Sequence, residues 1–193
     1  MDTAAPGIES EGDLAALIGT IEAAPAGAPL LAARALEVVR HGVITGEGPT
    51  SAGRIHFSRA IDSTDTEWVR RILVAGGRGA VTRAEADALF DIHEAAMERM
   101  DGGAFDCLLA KAVAHHVLST CHHRVPDRAT ALAATTPLAD WATDAALDRD
   151  VAAWLAARLR RRPGNQARLA PLAALLGPAE CPPAPALAFD LAA

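Results

Sequence analysis

The stretch from Phe105 to Thr120 restricts the fold more than any other part of the chain. Leu108, Leu109, Ala112, Val113, Val117 and Leu118 recur there at helical spacing, and projected around a helix they leave almost no polar face. A helix that is apolar on nearly all sides persists only when other elements surround it, so this segment predicts the central helix of a larger assembly. The rest of the sequence must supply the surround. Of the 193 residues 51% are hydrophobic, which is enough to bury one core and suits one domain better than two. That apolar share is carried by Ala and Leu rather than Val and Ile, and Tyr is absent, a balance that favours helix over strand. The expected fold is an all-α, single-domain bundle of about seven helices over residues 1–177, followed by an extended Pro/Ala-rich tail over 178–193.

Capping and breaking signals divide the surround. Ser10, ahead of Asp13, opens a helix carrying Leu14, Leu17, Ile18 and Ile21 until Pro25. Pro29 suits the first turn of a second helix through Leu31, Ala35, Leu36, Val38 and Val39 toward Gly42. Thr45 to Gly53 reads as a loop, and Arg54 to Ile61 alternates weakly as a short extended piece. Thr64-Asp65-Thr66-Glu67 fits a capping box, with Trp68, Ile72 and Leu73 as the buried stripe behind it. After the glycine loop Ala75 to Ala80, a second box, Thr82-Arg83-Ala84-Glu85, opens a helix. One face of that helix has Ala86, Leu89, Phe90, His93, Met97 and Met100, and Asp101-Gly102-Gly103 ends it. Asp87, Asp91, Glu94 and Glu98 lie on the opposite face, which is expected to be solvated. Beyond Pro126 come a short helical stretch at 129–134, a helix from Asp148 to Arg162, and a last one from Gln166 to Leu176.

Charge and cysteine usage exclude several classes of function. The net charge of −6 gives no general field for nucleic acid or anionic membrane. Cys107, Cys121 and Cys181 are odd in number and widely spaced, which argues for a reducing compartment. Met1 to Glu11 lacks the basic and apolar parts of a signal peptide, and no run reaches the roughly 20 apolar residues of a membrane span. The cytoplasm is the expected address. Ser58, Ser63 and Ser119 have no nucleophile-elbow context, Cys107 in an apolar helix is expected to be inert packing, and Lys111, the only lysine, is expected to snorkel. Gly76 to Gly79 lies between helices and lacks the ending of a phosphate loop. Enzymatic activity is therefore the less favoured class.

Read as a calcium loop, Val74 to Glu85 has Gly79 and Glu85 in frame, but Val74, Gly76 and Arg78 occupy the first ligand positions and offer no side-chain oxygen. The plain reading is a glycine turn between two capped helices. Gly79-Ala80-Val81-Thr82-Arg83-Ala84-Glu85, followed by the amphipathic stretch Ala86 to Met100, resembles the helix-loop-helix unit of the TerB-like family named for tellurite resistance. The resemblance covers residues 60–123. TerB-like loops usually carry an acidic residue before the glycine, implicated in metal binding, where this chain has Arg78. The stretch through Arg124-Val125-Pro126 is similar to uncharacterised proteins of alphaproteobacteria.

Two clusters are candidate sites. His115, His116, Cys121, His122 and His123 combine imidazole and thiolate, a set suited to zinc, copper or nickel. Adjacent histidines on a helix diverge by about 100°, and His115 and His122 stand two turns apart. One ion therefore requires a break near Cys121, with His93 or Glu94 of the neighbouring helix completing the set. The alternative is a buried histidine pair followed by a polar helix end. Arg158, Arg160, Arg161 and Arg162, with Arg168 beyond the turn, form a basic patch that offers an acidic protein a contact, or else only compensates a helix dipole. No interleaved aromatics suggest nucleic acid. The sequence thus favours a non-enzymatic helical module without cofactor that binds a partner protein in a stress or accessory role. Its contact surface would be Arg158 to Arg162 or the acidic face around Asp87, and a transition-metal-binding protein is the alternative.

Overall fold

The computed structural model describes residues 11–24, 28–45, 61–96, 103–133, 135, 141 and 147–176. Within them lie α1 (Glu11–Ala23), α2 (Pro29–Thr45), α3 (Ser63–Ala75), α4 (Arg83–Ala96), α5 (Ala104–Thr120), α6 (Arg128–Leu132), α7 (Arg149–Arg160), α8 (Asn165–Arg168) and α9 (Ala170–Leu175). The described residues are all-helical, with nine helices rather than seven and no strand. The short stretch after Pro126 forms a helix of its own, α6, and the last expected helix is broken in two. Leu169 leaves helical geometry (φ −106°, ψ 35°), and Pro171, which has no N–H to continue a helix, falls in the first turn of α9.

α5 is the central helix that its composition requires. Every residue from Leu108 to Leu118 is buried, including Lys111, His115 and His116. α3, α4, α6 and α9 pack directly on it, while α2 lies across α4 and α3, and α1 covers α2 and α3. On α2 the buried stripe is Ala32, Ala35, Leu36, Val39, Gly42 and Val43, while Val38 is half-buried and Leu31 is exposed. No helix among the described residues is long and apolar enough to cross a membrane.

The two helix starts around the glycine loop behave differently. At α4 the expected box is present: Thr82 Oγ1 accepts from the Glu85 N–H (3.2 Å), and Glu85 Oε2 accepts from the Thr82 N–H (2.8 Å). At α3 the box lies two residues upstream of Thr64. Asp62 Oδ1 accepts from the N–H groups of Thr64 (2.7 Å) and Asp65 (2.9 Å), and Asp65 Oδ2 accepts from the Asp62 N–H (3.2 Å). An ionised carboxylate at the positive end of a helix gains both a charge-assisted hydrogen bond and a favourable dipole, so Asp62 outcompetes Thr64 for the cap. Between the two helices Gly76 packs where α2 passes closely: a Cβ there would stand 2.9 Å from Ala32 Cβ.

Several expectations lie outside the described residues: the loop at 46–53, the extended piece over 54–60, Met97 to Gly102, Cys181 and the tail over 178–193. Of the extended piece only Ile61 is described, and it is buried.

Candidate functional site

The two buried histidines of α5 address one residue of the glycine loop. The Val81 N–H donates to His115 Nδ1 (3.3 Å), and His115 Nε2–H donates to the Pro126 carbonyl (3.1 Å). His116 Nδ1–H donates to the Val81 carbonyl (2.9 Å), and its ring meets Trp154 edge-on with centroids 5.5 Å apart. Successive imidazoles diverge by about 100° on a helix, and here that divergence lets them take both backbone groups of Val81. These bonds fix His115 as the Nε2–H tautomer and His116 as the Nδ1–H tautomer. Burial holds both below the ordinary histidine pKa, against the opposing pull of their backbone carbonyl partners.

The other expected metal ligands are engaged elsewhere. His93, fully buried on α4, bonds through Nε2 to Asp106 Oδ1 of α5 (2.9 Å), and Asp106 Oδ2 accepts from Arg168 Nε of α8 (3.0 Å). Burial lowers the His93 pKa despite the Asp106 carboxylate beside it. The break near Cys121 does occur, as a helix terminus: His122 enters the left-handed region (φ 60°), its N–H bonds to the Ser119 carbonyl, and the His123 N–H bonds to the Leu118 carbonyl (2.9 Å). This pair of bonds is a Schellman motif, with His122 in the position that glycine usually fills. Cys121 Sγ accepts from the Asp148 N–H (3.3 Å). His93, His115, His116, Cys121, His122 and His123 are therefore not brought together. Among the described residues no group of three or more His, Cys, Asp or Glu is placed to hold a metal ion.

The basic patch and the acidic face turn out to be partners of each other. Arg158, with a side chain only 13% exposed, donates from Nε to Asp87 Oδ1 and from a terminal nitrogen to Asp91 Oδ1, both at 2.9 Å. Trp154 Nε1–H donates to the same Asp87 oxygen (3.0 Å), Arg161 lies 3.3 Å from Glu94 Oε2, and Arg40 of α2 reaches Asp91 Oδ2 (2.8 Å). Arg83 stacks over the Trp154 ring at 4.3 Å. The face of α4 expected to be solvated is thus covered by α7 and α2, and Arg158 is not available as a contact residue. Burial raises the Asp87 carboxyl, but the hydrogen bonds from Arg158 and Trp154 outweigh it and hold the carboxyl below its ordinary range. At Glu94 burial wins over Arg161 and Arg158, and its carboxyl is pushed up. Arg160 and Arg162 remain exposed, and the Arg161 side chain is 57% exposed.

Other functional groups were hidden from the sequence. Arg128 pairs with Glu85, and both side chains are nearly buried, so the capping glutamate of α4 is also tied to α6. Nothing in the local pattern around Pro126 signals this, because the partner lies 43 residues away. Two expectations on α5 reverse: Cys107 is exposed rather than packed inside, and Lys111 is buried, its Nζ donating to the Ala133 carbonyl at 2.6 Å rather than reaching solvent. No protein-family model matches the chain, and neither curated proteins nor solved structures yield a match.

Proposed function

We propose that the protein is a non-enzymatic, cytoplasmic helical module, TerB-like in its centre, that binds an acidic surface of a partner protein in a stress or accessory role. The observation that carries this reading is the end of α7, where Arg160, Arg161 and Arg162 stand exposed and consecutive while Arg158, one turn earlier, is committed to α4. A planar guanidinium presents paired donors to a carboxylate, and the exposed Arg160 and Arg162, flanking an Arg161 that also reaches Glu94, present such donors on the surface of a chain of net charge −6. The free thiols of Cys107 and Cys121 suit a reducing compartment.

The test is charge reversal at residues that hold no internal contact described above. R160E/R162E should keep its unfolding free energy within about 0.5 kcal/mol of the parent, as surface substitutions do. Cross-linking in cells that produce the protein should then lose the partner bands seen with the parent, and raised salt should weaken parental capture in the same way. Equal capture by parent and variant would remove the arginine surface from the reading.

A further inference from the structure

Leu30, Leu31 and Ile44 are the large hydrophobic side chains left exposed among the described residues, at 86%, 38% and 48%, and all three belong to α2. At about 100° per residue, Leu30, Arg34, Glu37, His41 and Ile44 fall within about 80° of one another, on the side of the helix opposite its buried stripe. Each of the five is exposed, and together they run about 20 Å along the helix. They follow one another in alternating steps of four and three residues, the spacing of a coiled-coil seam. Exposed hydrophobic residues scattered singly over a surface need no explanation, but here two of them close the ends of one seam and Leu31 widens the first end. The middle of the seam carries opposite charges. Within one copy both Glu37 oxygens accept from Arg40, each at 2.8 Å, so Glu37 turns away from Arg34. Its side chain is still 58% exposed, and a carboxylate with about four acceptor sites can take a second guanidinium.

We infer that this face of α2 is a self-association surface, on which a second copy of the chain lies antiparallel. With a twofold axis passing between Arg34 and Glu37, Arg34 of each copy stands opposite Glu37 of the other, and the four charges alternate in sign around the axis. Leu30 of each copy then meets His41 of the other and comes within one turn of its Ile44. A parallel pairing would set Arg34 against Arg34 and Glu37 against Glu37, and like charges in contact oppose it. About 20 Å of one helix from each copy is a small interface, so the dimer is weak, with a dissociation constant on the order of 10–100 µM. The inference is independent of the arginine surface at the end of α7.

Sedimentation equilibrium of the full chain, in reducing buffer so that the exposed Cys107 forms no disulfide, reads the association directly. Between about 1 µM and about 1 mM protein the weight-average mass should rise from 20.0 kDa toward twice that value. L30S/I44S, changed at two exposed positions, should raise the dissociation constant at least about tenfold while its urea midpoint stays with that of the parent. Arg34→Glu should weaken association about tenfold by setting like charges across the axis. R34E/E37R, which restores opposite charges between the copies, should return the constant to within about threefold of the parent value. A mass fixed at 20.0 kDa over the whole range, the result expected if another segment of the chain or a different protein covers this face, would overturn the proposal without recourse to any variant. Association that L30S/I44S leaves unchanged, or that the charge swap fails to restore, would overturn it as well.

Discussion

His122 holds φ at 60°, a region that an L side chain enters at a cost of roughly 1 kcal/mol, and it does so to close α5 with the bonds from His122 to Ser119 and from His123 to Leu118. The strain serves the backbone and requires nothing from the imidazole. His122→Gly is therefore expected to raise the urea-unfolding free energy by up to about 1 kcal/mol, because glycine adopts the same conformation without a Cβ penalty. A loss of stability instead would mean that the imidazole itself holds the terminus. The histidine cluster was legible in the sequence as a composition, and the divergence of adjacent rings was legible from helix geometry. What each ring would bond to was not. Val81 approaches from 34 and 35 residues away, and only the folding of the glycine loop onto α5 places it there.

At the scale of elements, the boundary of α3 separates two rules that the sequence satisfies equally. Asp62 to Asp65 and Thr64 to Glu67 are overlapping capping patterns, and the chain uses the first, with Thr66 buried inside the helix and its hydroxyl bonded to the Asp62 carbonyl (2.9 Å). Asp62→Ala should lower stability by about 1 kcal/mol, the usual cost of a lost cap, whereas Thr64→Ala should change it by less than about 0.5 kcal/mol. The reverse ranking in urea titrations would return the cap to Thr64. Where one strong local signal acts alone, as with Pro29 at the start of α2 or the apolar run of α5, the helix begins where the pattern says. The charged faces were less legible for a physical reason. Asp87, Asp91 and Glu94 on one helix and Arg158 and Arg161 on another each look solvated when read alone, and only their mutual neutralisation makes burial affordable.

For the whole molecule, three buried neutral histidines set the response to acid. His93, His115 and His116 all have pKa values lowered by burial, so below the ordinary value of about 6.5 the unfolded chain takes up protons that the folded one refuses. Their contribution is fully present above about pH 6.5 and declines as pH falls from there through the folded-state values, by at most about 1.4 kcal/mol per pH unit for each histidine. The lowered Asp87 carboxyl adds to the loss only in stronger acid, below the unfolded aspartate range. Glu94 acts in the opposite sense: its raised pKa lets the folded state take up a proton first, which offsets part of the loss as pH falls through its folded value toward the unfolded one. Urea midpoints should therefore be level between pH 8 and about 7 and fall between about 6.5 and 5. The failure should begin at a defined place, because a proton on His115 Nδ1 removes the acceptor that the described residues give the Val81 N–H. Hydrogen exchange at the Val81 amide, corrected for the intrinsic pH dependence of exchange, should accelerate at a higher pH than exchange at Leu109 or Val113 in the centre of α5. Simultaneous acceleration at all three amides would show that acid opens the bundle as one unit and that the histidine pair does not control the loop.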